Sequence, residues 1–328
     1  MTLTTTLLPA KDKLRLCFAH GAYNMKPIFD RAGHGIETIQ VSTYDDLQAC
    51  LPEVDVLVVS GLWKNDLLAS AGRLKYLQSV SSGTNQYDLA ALRERGIVLA
   101  SGQGVNKNAV SEHAIGLMLS LTRRLALARD NQAKAWWRPE QTDPAEREDE
   151  LPGKTMLIVG LGGIGDRIAR LAKAFDMKVI GVRRDPARGA GFADEVHSFR
   201  DVKALLPRAD VVVLSCPLTD ETRNMIDAEA IALLKPTAFL INVARGGCVE
   251  EPALIAALQA GRFAGAGLDV MAVEPLPKDS PLWSMPNVVL TPHTAGETRR
   301  YEVNVLDILT RNLDKLWAGD TALVNRIV

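Results

Sequence analysis

Met156-Leu157-Ile158-Val159-Gly160-Leu161-Gly162-Gly163-Ile164-Gly165 is the stretch that decides the fold. Four apolar residues in succession predict a strand buried on both faces. The glycine pattern that follows opens the helical run Asp166–Ala174. A G-x-G-x-x-G sequence is common, and a plain glycine turn is the alternative reading. A strand before it and a helix after it supply the context in which the glycines gain a role. Gly160 permits a tight turn, Gly162 lets backbone approach a pyrophosphate, and Gly165 lets helix and strand pack closely. The helix N-terminus adds unpaired N–H groups and a partial positive charge. Gly160, Gly162, Gly163, Ile164 and Gly165 are therefore candidate contacts to a dinucleotide.

Working outward, the same alternation of β-rich runs and helical patterns recurs on both sides. Downstream lie strands at Val179–Val182, Val211–Ser215, Ala238–Asn242, Gly265–Asp269 and Val288–Leu290. Upstream lie Leu14–Ala19, Ile36–Val41, Val54–Ser60, Lys75–Ser81 and Ile97–Ala100. This predicts an α/β protein of two doubly wound, Rossmann-like parallel-sheet domains, with the active site in the cleft between them. A long apolar helix is expected over Ala109–Trp136, with Asn106 or Asn108 placed to cap it and Glu112 in its first turns. Arg138–Glu150 is polar, contains proline and predicts a loop, and a last helix over Gly296–Ala318 closes the chain. The expected division is a substrate-binding domain of 1–106 with 294–328, and a dinucleotide-binding domain of 107–293. Trp63 follows a strand and either walls the substrate pocket or belongs to the core.

Thirty-eight Lys and Arg against 39 Asp and Glu leave a formal charge of -1, so no broad basic face for nucleic acid or anionic membrane is implied. The first residues, Met1–Ala10, lack a basic segment followed by an apolar one, and no run of about 18 apolar residues occurs. A cytoplasmic protein is expected. Cys17, Cys50, Cys216 and Cys248 stand apart without ligand spacing, which predicts reduced thiols and no metal site.

In an open parallel sheet, ligands bind beyond the carboxyl ends of the strands. Four such ends here carry polar chemistry: Ser215-Cys216-Pro217-Leu218-Thr219, Asn242-Val243-Ala244-Arg245-Gly246-Gly247, Leu268-Asp269-Val270 with Glu274-Pro275 beyond, and Thr291-Pro292-His293. His293 can donate a proton, Glu274 can hold and charge it, and Arg245 can grip a carboxylate and polarise a carbonyl. Each has a plainer alternative: a surface ion pair for Arg245, a loop charge for Glu274, a satisfied histidine for His293, a turn cap for Asp269. His20, His34 and His197 show no partner and read as structural or exposed, and His113 as a packing residue.

The end of the second strand speaks to cofactor choice. An NAD-selective site carries an acidic residue there for the ribose 2′-hydroxyl. This chain has Arg183-Arg184 instead, with Asp176 before the strand and Asp185 late and followed by Pro186. A guanidinium at that point can bind a 2′-phosphate, so NADP, with NADPH preferred over NADH, is the expected cofactor. Solvated surface arginines are the alternative.

Taken together, these stretches resemble the D-isomer-specific 2-hydroxyacid dehydrogenase family. The likeness runs through Ser82-Gly83-Thr84-Asn85-Gln86-Tyr87-Asp88-Leu89, Val110-Ser111-Glu112-His113, Gly160 to Gly165, Pro217-Leu218-Thr219, Asn242 to Gly247, Leu268-Asp269-Val270, Glu274-Pro275-Leu276 and Pro286-Asn287-Val288 to Thr291-Pro292-His293. The resemblance implies that Arg245, Glu274 and His293 are catalytic. It implies that backbone amides around Ser82 and Gly83 hold the substrate carboxylate, beside Arg245 and His293. It also implies that Asp269 binds the nicotinamide carboxamide and that Cys216 and Val243 line the ring, with Pro217 and Thr222 assigned to the same cofactor loop. The family often has Gly-x-Gly where this chain has Ser81-Ser82-Gly83, which leaves the pocket shape open. The expected activity is hydride transfer between NAD(P)H and a small 2-keto or 2-hydroxy acid, D-stereospecific and of the glyoxylate/hydroxypyruvate reductase type, in a homodimer. Glyoxylate, hydroxypyruvate and longer 2-keto acids all fit. The rival readings are a nucleotide-sensing co-repressor scaffold, which the catalytic trio does not discriminate, and a formate-dehydrogenase-like enzyme, against which the Glu274–His293 pair argues.

Overall fold

The computed structural model describes residues 7–328, so the first six residues of the Met1–Ala10 stretch lie outside the described residues. The chain divides into two compact units. One runs up to Asn106 and resumes over Thr298–Val328; the other is Lys107–Glu297. The second unit thus continues past 293, where the sequence reading ends it. The reason is local: the N–H groups of Thr294 and Ala295 donate to the Asp269 carboxylate and tie those residues to this unit.

The first unit is built on β1 (Arg15–Ala19), β2 (Glu37–Val41), β3 (Val56–Val59), β4 (Tyr76–Ser79) and β5 (Val98–Ala100). They pair in parallel in the order β2-β1-β3-β4-β5. Leu16, Phe18, Val56 and Val58 bury one face against Val305, Leu309 and Leu313 of the helix Tyr301–Trp317. Cys17, Ala19, Leu57 and Val59 bury the other face with Trp63, which is therefore core. Its ring packs on Tyr87 with centroids 5.8 Å apart.

The second unit carries β6 (Thr155–Val159), β7 (Lys178–Val182), β8 (Glu195–His197), β9 (Val211–Leu214), β10 (Phe239–Asn242), β11 (Gly265–Leu268) and β12 (Val288–Leu290). All pair in parallel, in the order β12-β11-β10-β9-β6-β7-β8. Side chains alternate between faces: Met156 and Ile158 bury one, Leu157 and Val159 the other. That explains the unbroken apolar runs. Strand order reverses between β6 and β9, so Gly160 and Ser215 leave the sheet side by side at the position where such folds bind ligands.

Three further features depart from the sequence reading. β8, a three-residue edge strand of Glu-Val-His, is not anticipated, because it is too short and polar to show a strand pattern. The expected helix Ala109–Trp136 is two helices, Lys107–Thr122 and Leu125–Ala133, broken at Arg124 with φ 49°. Asp149 N–H donates to the Thr122 carbonyl at 2.9 Å, taking the acceptor that an uninterrupted helix would use. The closing helix begins at Tyr301, not Gly296. Among the described residues no helix is long and apolar enough to cross a membrane, and no group of metal-ligating side chains occurs.

Candidate active site

At the topological reversal Gly160 has φ +110°, and a Cβ there would lie 2.5 Å from Cys216 N. Only glycine lets the two loops approach this closely. Gly162 and Gly163 are exposed at the start of the helix Gly163–Lys173, where Gly162 is the N-cap, and Ile164 is half-buried. The cradle fits a dinucleotide pyrophosphate: open space over Gly162 and a helix N-terminus beneath it. Lys107, which the sequence reading passed over, packs its stem here, with Cδ 3.6 Å from the Cβ position of Gly163.

At the end of β7, Arg183 is half-buried and its Nη1 donates to the Gly189 carbonyl at 2.9 Å, whereas Arg184 is exposed. Asp185 is engaged elsewhere, its Oδ1 accepting the Ala187 N–H. Of the other cofactor candidates, Cys216 and Val243 are buried at the ends of β9 and β10. A hydrogen bond with Cys248 and burial push the Cys216 thiol up, so it stays protonated. Thr222 is buried, and its hydroxyl donates to Pro217 O at 2.7 Å, so it shapes this loop from within.

The three candidates for proton and charge work all belong to this unit. Arg245 follows β10 and is exposed. The next residue must be glycine: a Cβ on Gly246 would fall 1.9 Å from Met271 O, because the Arg245 loop lies directly on the loop that carries Glu274. Glu274 Oε2 lies 2.6 Å from His293 Nδ1, and Oε1 accepts the Met271 N–H at 3.0 Å. Burial pushes the Glu274 carboxyl up, but hydrogen bonds from His293 and Met271 and the charges of His293 and Arg245 outweigh it. The carboxyl is held below the usual glutamate range. With Nδ1 engaged, the Nε2 of His293 is the ring atom left to meet a substrate oxygen. A cavity of about 560 Å³ adjoins the pair, walled on its apolar side by Met271, Leu276, Trp283 and Leu290.

Asp269 is 2% exposed, and its Oδ1 accepts from Thr291 Oγ1 (2.6 Å), Thr294 N (2.9 Å) and Ala295 N (3.2 Å). These contacts hold the turn around Asp269. His113 Nε2 lies 2.8 Å from Thr291 Oγ1, so this histidine is part of the same cluster and more than a packing residue. Its partner stands 178 positions away in sequence, where no local pattern points to it. Of the remaining histidines, His20 accepts the N–H groups of Ala22 and Tyr23, His34 packs against Phe29 with the rings tilted, and His197 pairs with Glu195.

In the first unit, Ser82 and Gly83 are exposed on the loop after β4. Neither N–H is engaged in an internal hydrogen bond among the described residues. The loop is braced by Ser81, whose Oγ lies 2.7 Å from Ser60 Oγ and donates to Gly83 O.

Residues 115–295 match the family described as D-isomer specific 2-hydroxyacid dehydrogenase, NAD binding domain. The chain is 37% identical over 270 residues to a glyoxylate reductase from Thermofilum pendens, covering 80% of this chain and 78% of that one. It is 33% identical over 293 residues to a D-3-phosphoglycerate dehydrogenase from Methanocaldococcus jannaschii. That match covers 88% of this chain but only 54% of the relative, so the chain spans about half of that protein's length. Among solved structures, an NADPH-dependent glyoxylate/hydroxypyruvate reductase from Sinorhizobium meliloti, in complex with NADP and malonate, superposes with a TM-score of 0.74. The identity is 28%, with 96% of this chain and 97% of that one covered.

Proposed function

The chain belongs to the D-isomer-specific 2-hydroxyacid dehydrogenase family, and on that footing we propose that it is a D-stereospecific, NADPH-preferring reductase of small 2-keto acids, of the glyoxylate/hydroxypyruvate type. The observation that carries the reading is the Glu274–His293 pair at 2.6 Å, with the second carboxylate oxygen anchored on the Met271 N–H. An anchored carboxylate beside an imidazole makes a positioned proton donor, the group that ketone reduction requires. When bound over the glycine turn, a reduced nicotinamide supplies the hydride for the keto carbon.

The protein's own residues do the rest. Gly160, Gly162, Gly163, Ile164 and Gly165 hold the pyrophosphate, and Cys216, Pro217 and Val243 form the wall beside the ring. Arg245 binds the substrate carboxylate and draws charge onto the carbonyl oxygen. His293 delivers its Nε2 proton to that oxygen as the hydroxyl forms, and Glu274 stabilises the charged ring beforehand. The first unit's part in the proposal is the N–H pair at Ser82 and Gly83, offered to a carboxylate.

The preference for NADPH rests on the arginines after β7 and on the engagement of Asp185 with Ala187. It is also in line with the Sinorhizobium meliloti neighbour, an NADPH-dependent enzyme solved with NADP. The test is steady-state kcat/KM for glyoxylate, hydroxypyruvate and longer 2-keto acids with NADPH and with NADH. Turnover of at least one acid, faster with NADPH, is expected. No turnover of any acid would defeat the reaction class, and an equal or NADH-favouring ratio would defeat the cofactor assignment alone.

A further inference from the structure

His293 has φ +55°, in the left-handed region, where a non-glycine residue stays only if its surroundings fix it. What fixes it is visible. Its N–H donates to the Asp269 carbonyl at 2.8 Å, and the next two N–H groups, of Thr294 and Ala295, donate to the Asp269 carboxylate. Main chain and side chain of one buried residue therefore grip both sides of the histidine.

Asp269 is itself held by a directional chain. The Thr291 hydroxyl has a single proton, and the carboxylate at 2.6 Å can only accept it. The short contact between His113 Nε2 and Thr291 Oγ1, 2.8 Å, then requires the ring to donate. Donation runs from His113 through Thr291 to Asp269, and His113 Nε2 is also 3.6 Å from Asp269 Oδ1. An apolar residue would fill the same space without supplying that proton.

We propose that His113 is a positioning residue which, through Thr291 and Asp269, sets the orientation in which His293 presents its ring. The proposal rests on the reading of His293 as proton donor, because only then does the orientation govern a rate. The contacts of this chain run among His113, Thr291, Asp269 and the residues after His293, and none of them is to the glycine turn, so its loss is expected to fall on the chemical step.

The test compares His113→Phe, which keeps bulk and removes the donor, with His113→Gln, whose amide nitrogen can replace Nε2. Misplacement of a reacting group by about 1 Å costs up to about a hundredfold, so His113→Phe is expected to lower kcat about ten- to a hundredfold. KM for NADPH should stay within about twofold of wild type, since binding and chemistry separate in such comparisons. His113→Gln should recover most of the lost kcat. Amide hydrogen exchange over 291–297 should quicken in His113→Phe and not in His113→Gln, with exchange elsewhere unchanged. If His113→Phe does not fold, Thr291→Val breaks the same chain one link later and should give the same split. Unchanged kcat and exchange in a folded His113→Phe would overturn the proposal, as would a Gln variant no better than Phe. If the wild type itself turns over no 2-keto acid, the functional reading fails. Exchange at 291–297 then decides the tether alone.

Discussion

Glu274 and His293 meet at 2.6 Å across a loop that also holds Glu274 through the Met271 N–H, so the carboxylate has an anchor of its own besides the imidazole. The two members of the pair have different mutational consequences. Loss of the histidine removes chemistry, whereas loss of the carboxylate changes the pH range over which chemistry runs.

His293→Ala is expected to lower kcat for keto-acid reduction about 10²–10⁴-fold while leaving NADPH affinity intact, since a general acid acts only in the chemical step. Cofactor fluorescence titration beside steady-state kinetics measures both. A fall of less than about tenfold, or an equal loss of cofactor affinity, would take His293 out of that role.

Glu274 carries the pH prediction. Its carboxyl lies below the usual glutamate value, a depressed acid, so its contribution to stability is present above the unfolded value and is lost as pH falls through the folded one. The Tm difference between wild type and Glu274→Gln should therefore persist down to about pH 4.3 and disappear only below it. The same variant removes the negative charge beside the imidazole, so the basic limb of its reduction profile should move to lower pH. A Tm difference that fades already above about pH 5 contradicts the assignment.

Gly246→Ala puts a methyl group where Met271 O and Ala272 N already stand. The Arg245 and Glu274 loops must part to admit it, at a cost of about 1–3 kcal/mol by analogy with overpacked cores. A lowered Tm together with a lowered kcat is expected. A variant with wild-type Tm and kinetics would mean that the two loops are not in fixed contact.

Cofactor choice should depend more on Arg184 than on Arg183, because Arg183 already donates to the Gly189 carbonyl while Arg184 is exposed. One charge-assisted hydrogen bond, about 1.5–3 kcal/mol, corresponds to roughly 10–100-fold preference for NADPH. Arg184→Ala is expected to remove most of that ratio in kcat/KM, and Arg183→Ala less. The reverse ranking would place the 2′-phosphate against Arg183.

Much of this was legible because the informative patterns are local. Met156–Val159 followed by the glycines announces strand, turn and helix within ten positions, and both parallel sheets follow from such units repeated. Glu274 and His293 could be singled out because each lies just beyond a strand's carboxyl end. What escaped depends on contacts between distant positions. The break at Arg124 comes from an Asp149 N–H on another segment, and β8 exists because Gly181 and Val196 pair at an edge. His113 looked like one more residue of an apolar helix until Thr291 was placed beside its ring. The polar atoms of Thr222 and Asp269, candidates for a cofactor, also hold the loops around them, which no local pattern announces.

One arrangement in the fold also bears on how the protein is made. The first unit is written in two pieces, up to Asn106 and from Thr298 onward, with the whole second unit between them. The face of its sheet formed by Leu16, Phe18, Val56 and Val58 is covered by Val305, Leu309 and Leu313, which come from the last helix. A ribosome adding about 5–20 residues per second needs on the order of tens of seconds to cross the segment 107–297. Throughout that interval the earlier-made sheet waits with one apolar face bare, and at its end the second unit is complete while that face is still uncovered. Chains halted at Glu297 should therefore be cut by protease within 1–106 and spared within 107–297. The closing helix is the event that covers that face.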